Sequence, residues 1–357
     1  MGIYAPNIID FGRRIRPLRA FNWDHGVLLR STNWLGDLVM TLPASYQLKQ
    51  LLPVEVPLRV LCKKGLAPIW QAAPWIDGVV PMAGNHISAE EASFVRGEHY
   101  GVGVVFPNSF GSAWDIWRCG IPQRIGRRGR FRWPLLTDTI PAWPRGENEG
   151  RCHQLSYYLE LVRLFGEVQF NADCPSLRVD DAYAASQNIS RESGWIALAP
   201  GAAYGPAKQW PVENFIAVAE ACMRRLGRKI VVVGAAKEAP LGAQIAAAVP
   251  GVLDLTGKTS LPQLMSVLAN CALVGANDSG TMHLAAALGT RGVGLFASTD
   301  PIATGPLGAP WDLEIAEVEC RPCLKRECPF AEGDTRRYAC MAQLPAERVL
   351  RVIEQMQ

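Results

Sequence analysis

Residues 277–283 read Asn-Asp-Ser-Gly-Thr-Met-His, placed between an apolar run at 271–276 and an alanine-rich stretch at 281–288. A strand, a short polar turn and a helix start form a seat for an anion. Free N–H groups at the helix start point outward, and the helix dipole favours negative charge. Gly280 lets an oxyanion approach the backbone, and His283 can donate from the first turn. Asp278 is unexpected beside a phosphate and suits a sugar hydroxyl or the ordering of the turn. An ordinary N-cap on a core helix, at Asp278 or Ser279, fits the same letters.

Residues 199–211 repeat the arrangement after a strand at 196–199, with Lys208 in a Gly- and Pro-rich loop near a helix start. A lysine there can neutralise a departing diphosphate as a point charge, or be a solvated loop residue. Residues 30–40, Arg-Ser-Thr-Asn-Trp-Leu-Gly-Asp-Leu-Val-Met, put Asp37 at another helix start. A carboxylate in such a turn can take a proton from an acceptor hydroxyl, or simply cap the helix. The stretch has no G-x-G-x-x-G, which argues against a nicotinamide oxidoreductase. Cys320-x-x-Cys323, then Cys328 and Cys340, suit a tetrahedral thiolate site for Zn or Fe, structural rather than catalytic. Free thiols fit as well. The other six cysteines read as reduced core residues.

These segments need elements to position them. Strand and helix patterns alternate twice along the chain. In the front half, strands are expected near 27–30, 58–62, 79–80 and 102–106, with helices near 35–51, 64–72, 88–96, 111–119 and 155–165. The passage 133–150 reads as a loop. In the back half, strands are expected at 196–199, 229–233, 253–256, 271–276 and 292–297. Helices are expected at 212–226, 239–249, 261–269, 281–288 and 345–356. Such alternation implies parallel sheets covered by helices, with ligands at the carboxyl ends of strands. The expected architecture is therefore α/β, two doubly wound Rossmann-like domains facing across a cleft. The boundary is expected near 178, giving residues 1–178 and 179–357, with the terminal helix packing back on the N-terminal domain.

The chain has 357 residues, enough for two cores; it is 49% hydrophobic and 19% charged, a globular composition. No apolar run approaches the roughly 18 residues of a spanning helix. The basic residues of the N-terminus follow its weak apolar start, the wrong order for a secretory signal, so a cytoplasmic protein is expected. Residues 1–178 hold 20 Lys and Arg against 15 Asp and Glu, and residues 179–357 hold 16 against 18. The basic excess gathers at Arg13, Arg14, Arg16 and Arg19, and again from Arg118 to Arg132 with no acid between. Both groups suit solvated faces or a surface for an anionic glycolipid or membrane. Nucleic acid is disfavoured, because the aromatic and glycine pattern of an RNA-binding sheet is missing.

The stretches RSTNWLGDLVMTLPA, PGAAYGPAKQWP, LTGKTSLPQL, NDSGTMHLAAALG and CRPCLKRECP, in this order over residues 30–340, resemble the ADP-heptose–lipopolysaccharide heptosyltransferases of glycosyltransferase family 9. The likeness is greatest to the heptosyltransferase II branch. The resemblance implies a GT-B fold, an N-terminal acceptor domain and a C-terminal nucleotide-sugar domain. It implies inverting transfer of L-glycero-D-manno-heptose from ADP-heptose to the inner core of lipopolysaccharide. The alternative is a family 9 transferase acting on a protein or another glycan; a non-enzymatic nucleotide- or metal-binding module is the bland competitor. By the resemblance Asp37 is the base, Lys208 meets the donor phosphates, and Asp278, Ser279, Gly280 and His283 form the donor turn. Glu238 and Thr259 would lie near ribose and adenine. No cofactor is expected in catalysis, only structural Zn or Fe at the cysteines. The expected partners are ADP-heptose and an anionic Kdo-lipid A type acceptor at the inner-membrane surface, where the enzyme would be peripheral. Two features depart from the pattern: a basic stretch of about 25 residues precedes the first strand, and Ala202 and Ala203 stand where some relatives carry hydroxyls.

Overall fold

The computed structural model describes residues 3–143 and 152–356. The chain forms two compact units, one of residues 7–178 and one of residues 179–357 joined by residues 1–6. The N-terminal hexapeptide therefore belongs with the C-terminal unit. There Tyr4 donates its amide to the Trp311 carbonyl at 2.7 Å and its hydroxyl to the Pro301 carbonyl at 2.9 Å.

The N-terminal unit is built on β1 (Val27–Arg30), β2 (Leu58–Lys63), β3 (Gly78–Met82), β4 (Val102–Val105), β5 (Gln123–Arg127) and β6 (Asp138–Ile140), in the order 3-2-1-4-5-6. Every neighbouring pair is parallel. β1 and β4 are wholly buried and apolar apart from Arg30, as sheet centres covered on both faces must be. Between β1 and β2 runs the helix Leu35–Leu51, which packs on the helix Leu155–Val162.

The C-terminal unit repeats the topology with β7 (Trp195–Ala199), β8 (Lys229–Val232), β9 (Leu253–Asp254), β10 (Leu273–Asn277), β11 (Gly292–Phe296) and β12 (Trp311–Ile315), in the order 12-11-10-7-8-9, again all parallel. Counted from its own first strand, this is the same 3-2-1-4-5-6 order. The reversal in each sheet falls beside its first strand, where doubly wound folds bind ligands. The helix Val212–Leu226 buries Phe215, Val218, Ala219 and Cys222 and ends on Gly227 at φ +62°, the left-handed position that glycine occupies without a Cβ clash.

The terminal helix, Ala346–Gln355, departs from expectation. It lays Val349, Leu350, Val352 and Ile353 into the core of the C-terminal unit and packs on the Val212–Leu226 helix. Its apolar face is consumed where its own sheet offers the nearest uncovered surface. The expected loop at 133–150 is also corrected: β6 and a turn of 3-10 helix at Trp133–Leu135 lie within it. Its residues 144–150 lie outside those described. Five of the six scattered cysteines are buried, whereas Cys174 is exposed.

Two arginines that read as surface charge are interior. Arg127, at the end of β5, reaches Glu160 at 2.7 Å, and Glu160 also takes Arg13 at 3.2 Å. Arg132 is fully buried and donates to the Arg127, Pro107 and Ser109 carbonyls. Burial holds the Arg132 guanidinium down at about 10, with Arg127 adding repulsion. The basic N-terminal stretch runs as a strap on this unit, with Ile9 N–H on the Ser156 hydroxyl, Leu18 N–H on the Leu164 carbonyl and Arg163 on Asp10 at 2.6 Å.

Candidate functional site

In the C-terminal unit the chain turns away from β7 and β10 at adjacent points, and one side chain ties the two turns together. Asn277, fully buried at the end of β10, donates to the Pro200 carbonyl at 2.8 Å and accepts from the Trp210 amide at 3.2 Å. The Trp210 indole donates to the Leu344 carbonyl at 2.9 Å. The loop carrying Lys208 is thus pinned at its base.

Lys208 points its ammonium to Asp278 at 2.5 Å; the two side chains are only 12% and 3% exposed. Tyr204 lies under the same ammonium, 4.8 Å from ring centre to nitrogen. Asp278 also accepts the Thr299 hydroxyl, and its amide donates to the Leu295 carbonyl at 3.0 Å. Asp278 therefore orders the turn and aims the lysine, one of the two roles its position suggested. His283 stands behind it, buried, with Nε2 3.9 Å from the carboxylate.

The helix Gly280–Ala287 starts in this turn. Ser279 occupies its N-cap, yet its hydroxyl does not cap the helix and is buried without a hydrogen-bond partner. An uncapped helix start, an unpartnered hydroxyl and an ammonium between Asp278 and the Tyr204 ring have the chemistry to cradle an anion. Glu238 borders this group. Its carboxylate accepts the Ala235 amide at 2.8 Å and lies so near the β7 and β8 turns that a Cβ at Gly201 would collide with it and one at Gly234 would fall 2.8 Å from it. Thr259 is on the adjoining loop, two residues past Gly257, which donates to the Gly234 carbonyl at 2.9 Å. The structure thus gathers Lys208, Asp278, Ser279, Gly280, His283 and Glu238 at one end of one sheet. Among the described residues, no hydrogen bond or ion pair ties Thr259 to the group.

In the N-terminal unit, Asp37 lies in the first turn of the Leu35–Leu51 helix, after Trp34, which gives no side-chain cap. Open N–H groups there favour a negative charge. The Asp37 charge reaches Tyr158, whose phenol is raised by burial first and by that charge second.

A polar network near this turn was not foreseen. Arg30, the last residue of β1, meets Asp115 at 2.9 Å with both side chains fully buried, and also donates to Asn33 and to the Asn85 carbonyl. Asp115 takes His86 Nδ1 at 3.1 Å, leaving the His86 side chain 54% exposed. The one signal in the sequence was an aspartate on the apolar face of a helix. Burial lowers Arg30 and Asp115 opposes that shift. Asp115→Ala strands a buried cation and should cost about 3–5 kcal/mol in urea unfolding, against under about 1 kcal/mol for an exposed pair. A loss in the lower range would mean that Arg30 finds water.

The four clustered cysteines line one small pocket, together with Ser298 and Ala207. The Tyr338 amide donates to Cys328 Sγ at 3.3 Å. Burial, then the charges of Cys320 and Cys323, push the Cys340 thiol up to about 11. Among the described residues, no three His, Cys, Asp or Glu side chains stand in an arrangement that would hold a metal ion as placed. No helix among the described residues is long and apolar enough to cross a membrane.

The family model for glycosyltransferase family 9 (heptosyltransferase) matches residues 92–333. The chain is 30% identical over 300 residues to lipopolysaccharide heptosyltransferase 2 of Escherichia coli K12, covering 79% of this chain and 85% of that one. It is 29% identical over 313 residues to lipooligosaccharide heptosyltransferase 2 of Haemophilus influenzae, covering 79% and 86%. The solved structure of E. coli ADP-heptose lps heptosyltransferase II superposes with a TM-score of 0.75 at 26% identity, covering 93% of this chain and 98% of that one.

Proposed function

The chain belongs to glycosyltransferase family 9 and has the GT-B fold, and from that premise we propose that it moves L-glycero-D-manno-heptose from ADP-heptose to the inner core of lipopolysaccharide. The observation that carries the donor half of this reading is the cradle of Lys208, Asp278 and the uncapped start of the Gly280–Ala287 helix. It is an electrostatic seat for a diphosphate, with Arg326 over the same Tyr204 ring as Lys208. Glu238 and Thr259 would take the nucleoside, and His283 would donate to a phosphate oxygen. Asp37 would accept the proton of the attacking acceptor hydroxyl as the sugar–phosphate bond breaks. Inversion in a single displacement demands that base and departing diphosphate meet the sugar from opposite sides.

Incubation with ADP-heptose and defined acceptors, read by mass spectrometry, tests this. One heptose added to heptosyl-Kdo-lipid A supports it. Transfer only to a protein or an unrelated glycan, or none at all, overturns the acceptor assignment. An acceptor with Kdo carboxylates and lipid A phosphates would put the reaction at an anionic membrane surface on the cytoplasmic side, where a peripheral enzyme would work.

Ser279→Ala separates binding from folding. The hydroxyl has no partner to lose, so stability should stay within about 0.5 kcal/mol. If the hydroxyl meets a phosphate oxygen, ADP affinity should fall about tenfold, as for a bond to a charged group. Calorimetric titration with ADP checks this, and an unchanged affinity removes Ser279 from the cradle.

Cys320, Cys323, Cys328 and Cys340 would hold one structural Zn or Fe ion. Support comes from four thiols on one pocket; the thiols would have to draw together to ligate. The ion would supply cross-linking of the 320–340 segment and no catalytic step. About one ion per chain by elemental analysis, lost in Cys323→Ser together with several degrees of thermal stability, is the expected result. Metal-free protein of full stability would refute it.

A further inference from the structure

The helix Phe110–Arg118 is apolar on both faces. Ala113 and Ile116 point into the core with Ser112 and Asp115, while Phe110, Trp114 and Trp117 stand outward at helical spacing, 47%, 39% and 45% exposed. The outward rings stack, 6.2 Å between the first two centroids and 4.6 Å between the two tryptophans. A helix that has already buried one apolar face gains nothing in this unit from a second, so the outward face calls for a partner.

The next loop extends that face. Arg132 is drawn wholly inward onto the Pro107 and Ser109 carbonyls, and Ser109 caps this same helix. Its neighbours are thereby turned out beside the helix start: Phe131 is 90% exposed and Trp133 64%. Arg130 and Phe131 both hold left-handed backbone, at φ +48° and +58°, a conformation costly for residues with a Cβ. The loop spends backbone strain to show an aromatic ring to the outside.

The surrounding charge selects the partner. Arg128 and Arg130 are exposed on the loop, and Arg96 is exposed and donates to the Arg118 carbonyl at the helix end. Of the acids nearby, Asp115 is buried with Arg30 and Glu98 faces Arg59 at 3.7 Å, while Glu90 is exposed on the neighbouring helix. Aromatic rings flanked by arginine fit the headgroup zone of an anionic bilayer, where ring bodies sit among acyl ends and guanidinium groups meet phosphates. A second copy of the same face would bring like charges together.

We propose that the outward face of the Phe110–Arg118 helix and the 128–133 loop is the surface by which this chain docks on anionic lipid. The proposal rests on the membrane-surface reading given above and names the residues that would serve it.

Co-sedimentation of the full chain with vesicles of phosphatidylcholine mixed with phosphatidylglycerol, and of phosphatidylcholine alone, tests it without any sugar substrate. Wild type should bind the mixed vesicles, with a blue shift of tryptophan emission. W114Q/W117Q should lower the partition coefficient by about tenfold or more, with ADP affinity unchanged as the control for folding. Should that pair unfold, Phe131→Gln at the most exposed site takes its place, with a fall of severalfold expected. Mixed-vesicle binding by wild type that both variants keep in full refutes this surface and leaves the membrane reading intact. Wild type that binds neither vesicle sinks both. A concentration-dependent dimer that W114Q/W117Q disperses, with no vesicle binding, assigns the face to a second copy and also overturns the proposal.

Discussion

Asp37→Asn should slow sugar transfer by about 10²–10⁴-fold while ADP affinity stays within about twofold. The substitution keeps the shape of the side chain and its place in the first turn of the Leu35–Leu51 helix, while it removes the negative charge and with it the capacity to take a proton. The helix-dipole share of any stability change should be roughly 0.3–1 kcal/mol, the contribution of a first-turn acid. Asp37 stands in the N-terminal unit, whereas every residue of the diphosphate cradle stands in the C-terminal one. Donor binding and proton transfer therefore separate experimentally. Single-turnover rates with saturating acceptor, alongside calorimetry with ADP, read the two effects. A variant within threefold of the wild-type rate would remove Asp37 from its role as base. One that lost ADP affinity as well would have failed through folding.

How far the sequence carried the reading follows from which forces leave a mark in it. The helix Val212–Leu226 was bounded correctly because its apolar residues recur at 3.6 and its terminus is a glycine. β1, β7 and β11 were found because buried parallel strands are short apolar runs. β5 and β12 were missed for one shared reason. Gln-Arg-Ile-Gly-Arg and Trp-Asp-Leu-Glu-Ile look like surface, since the partners that make their charges tolerable lie far along the chain: Glu160 for Arg127, and Arg348 for the buried Glu314. Tertiary pairing overrides local pattern there. The same blindness turned two interior arginines into an apparent surface cluster and hid the Arg30–Asp115–His86 network. The cradle was the most legible feature, because a strand, a polar turn and a helix are contiguous in sequence. What the letters could not say was whether Asp278 meets a ligand or its own lysine; Lys208 is 70 residues away and only the fold joins them.

That pairing gives the second large effect. Lys208→Met should weaken ADP binding about 10- to 100-fold, the cost of one charge-assisted contact to a phosphate. It should also destabilise the folded chain by about 3–5 kcal/mol, because Asp278, 3% exposed, is left as a buried anion without its lysine, beside the Thr299 hydroxyl and the His283 ring. The two losses have different causes, and a double-mutant cycle pulls them apart. Asp278→Asn removes the buried charge, so Lys208→Met/Asp278→Asn should recover most of the stability in urea unfolding. It should recover none of the affinity, because the cation that neutralises the diphosphate is still gone. If Lys208 were only the counter-ion of Asp278, the double variant would bind ADP as the wild type does. Affinity that returned together with stability would reduce the cradle to a buried salt bridge, and the donor site would have to be sought elsewhere on the sheet.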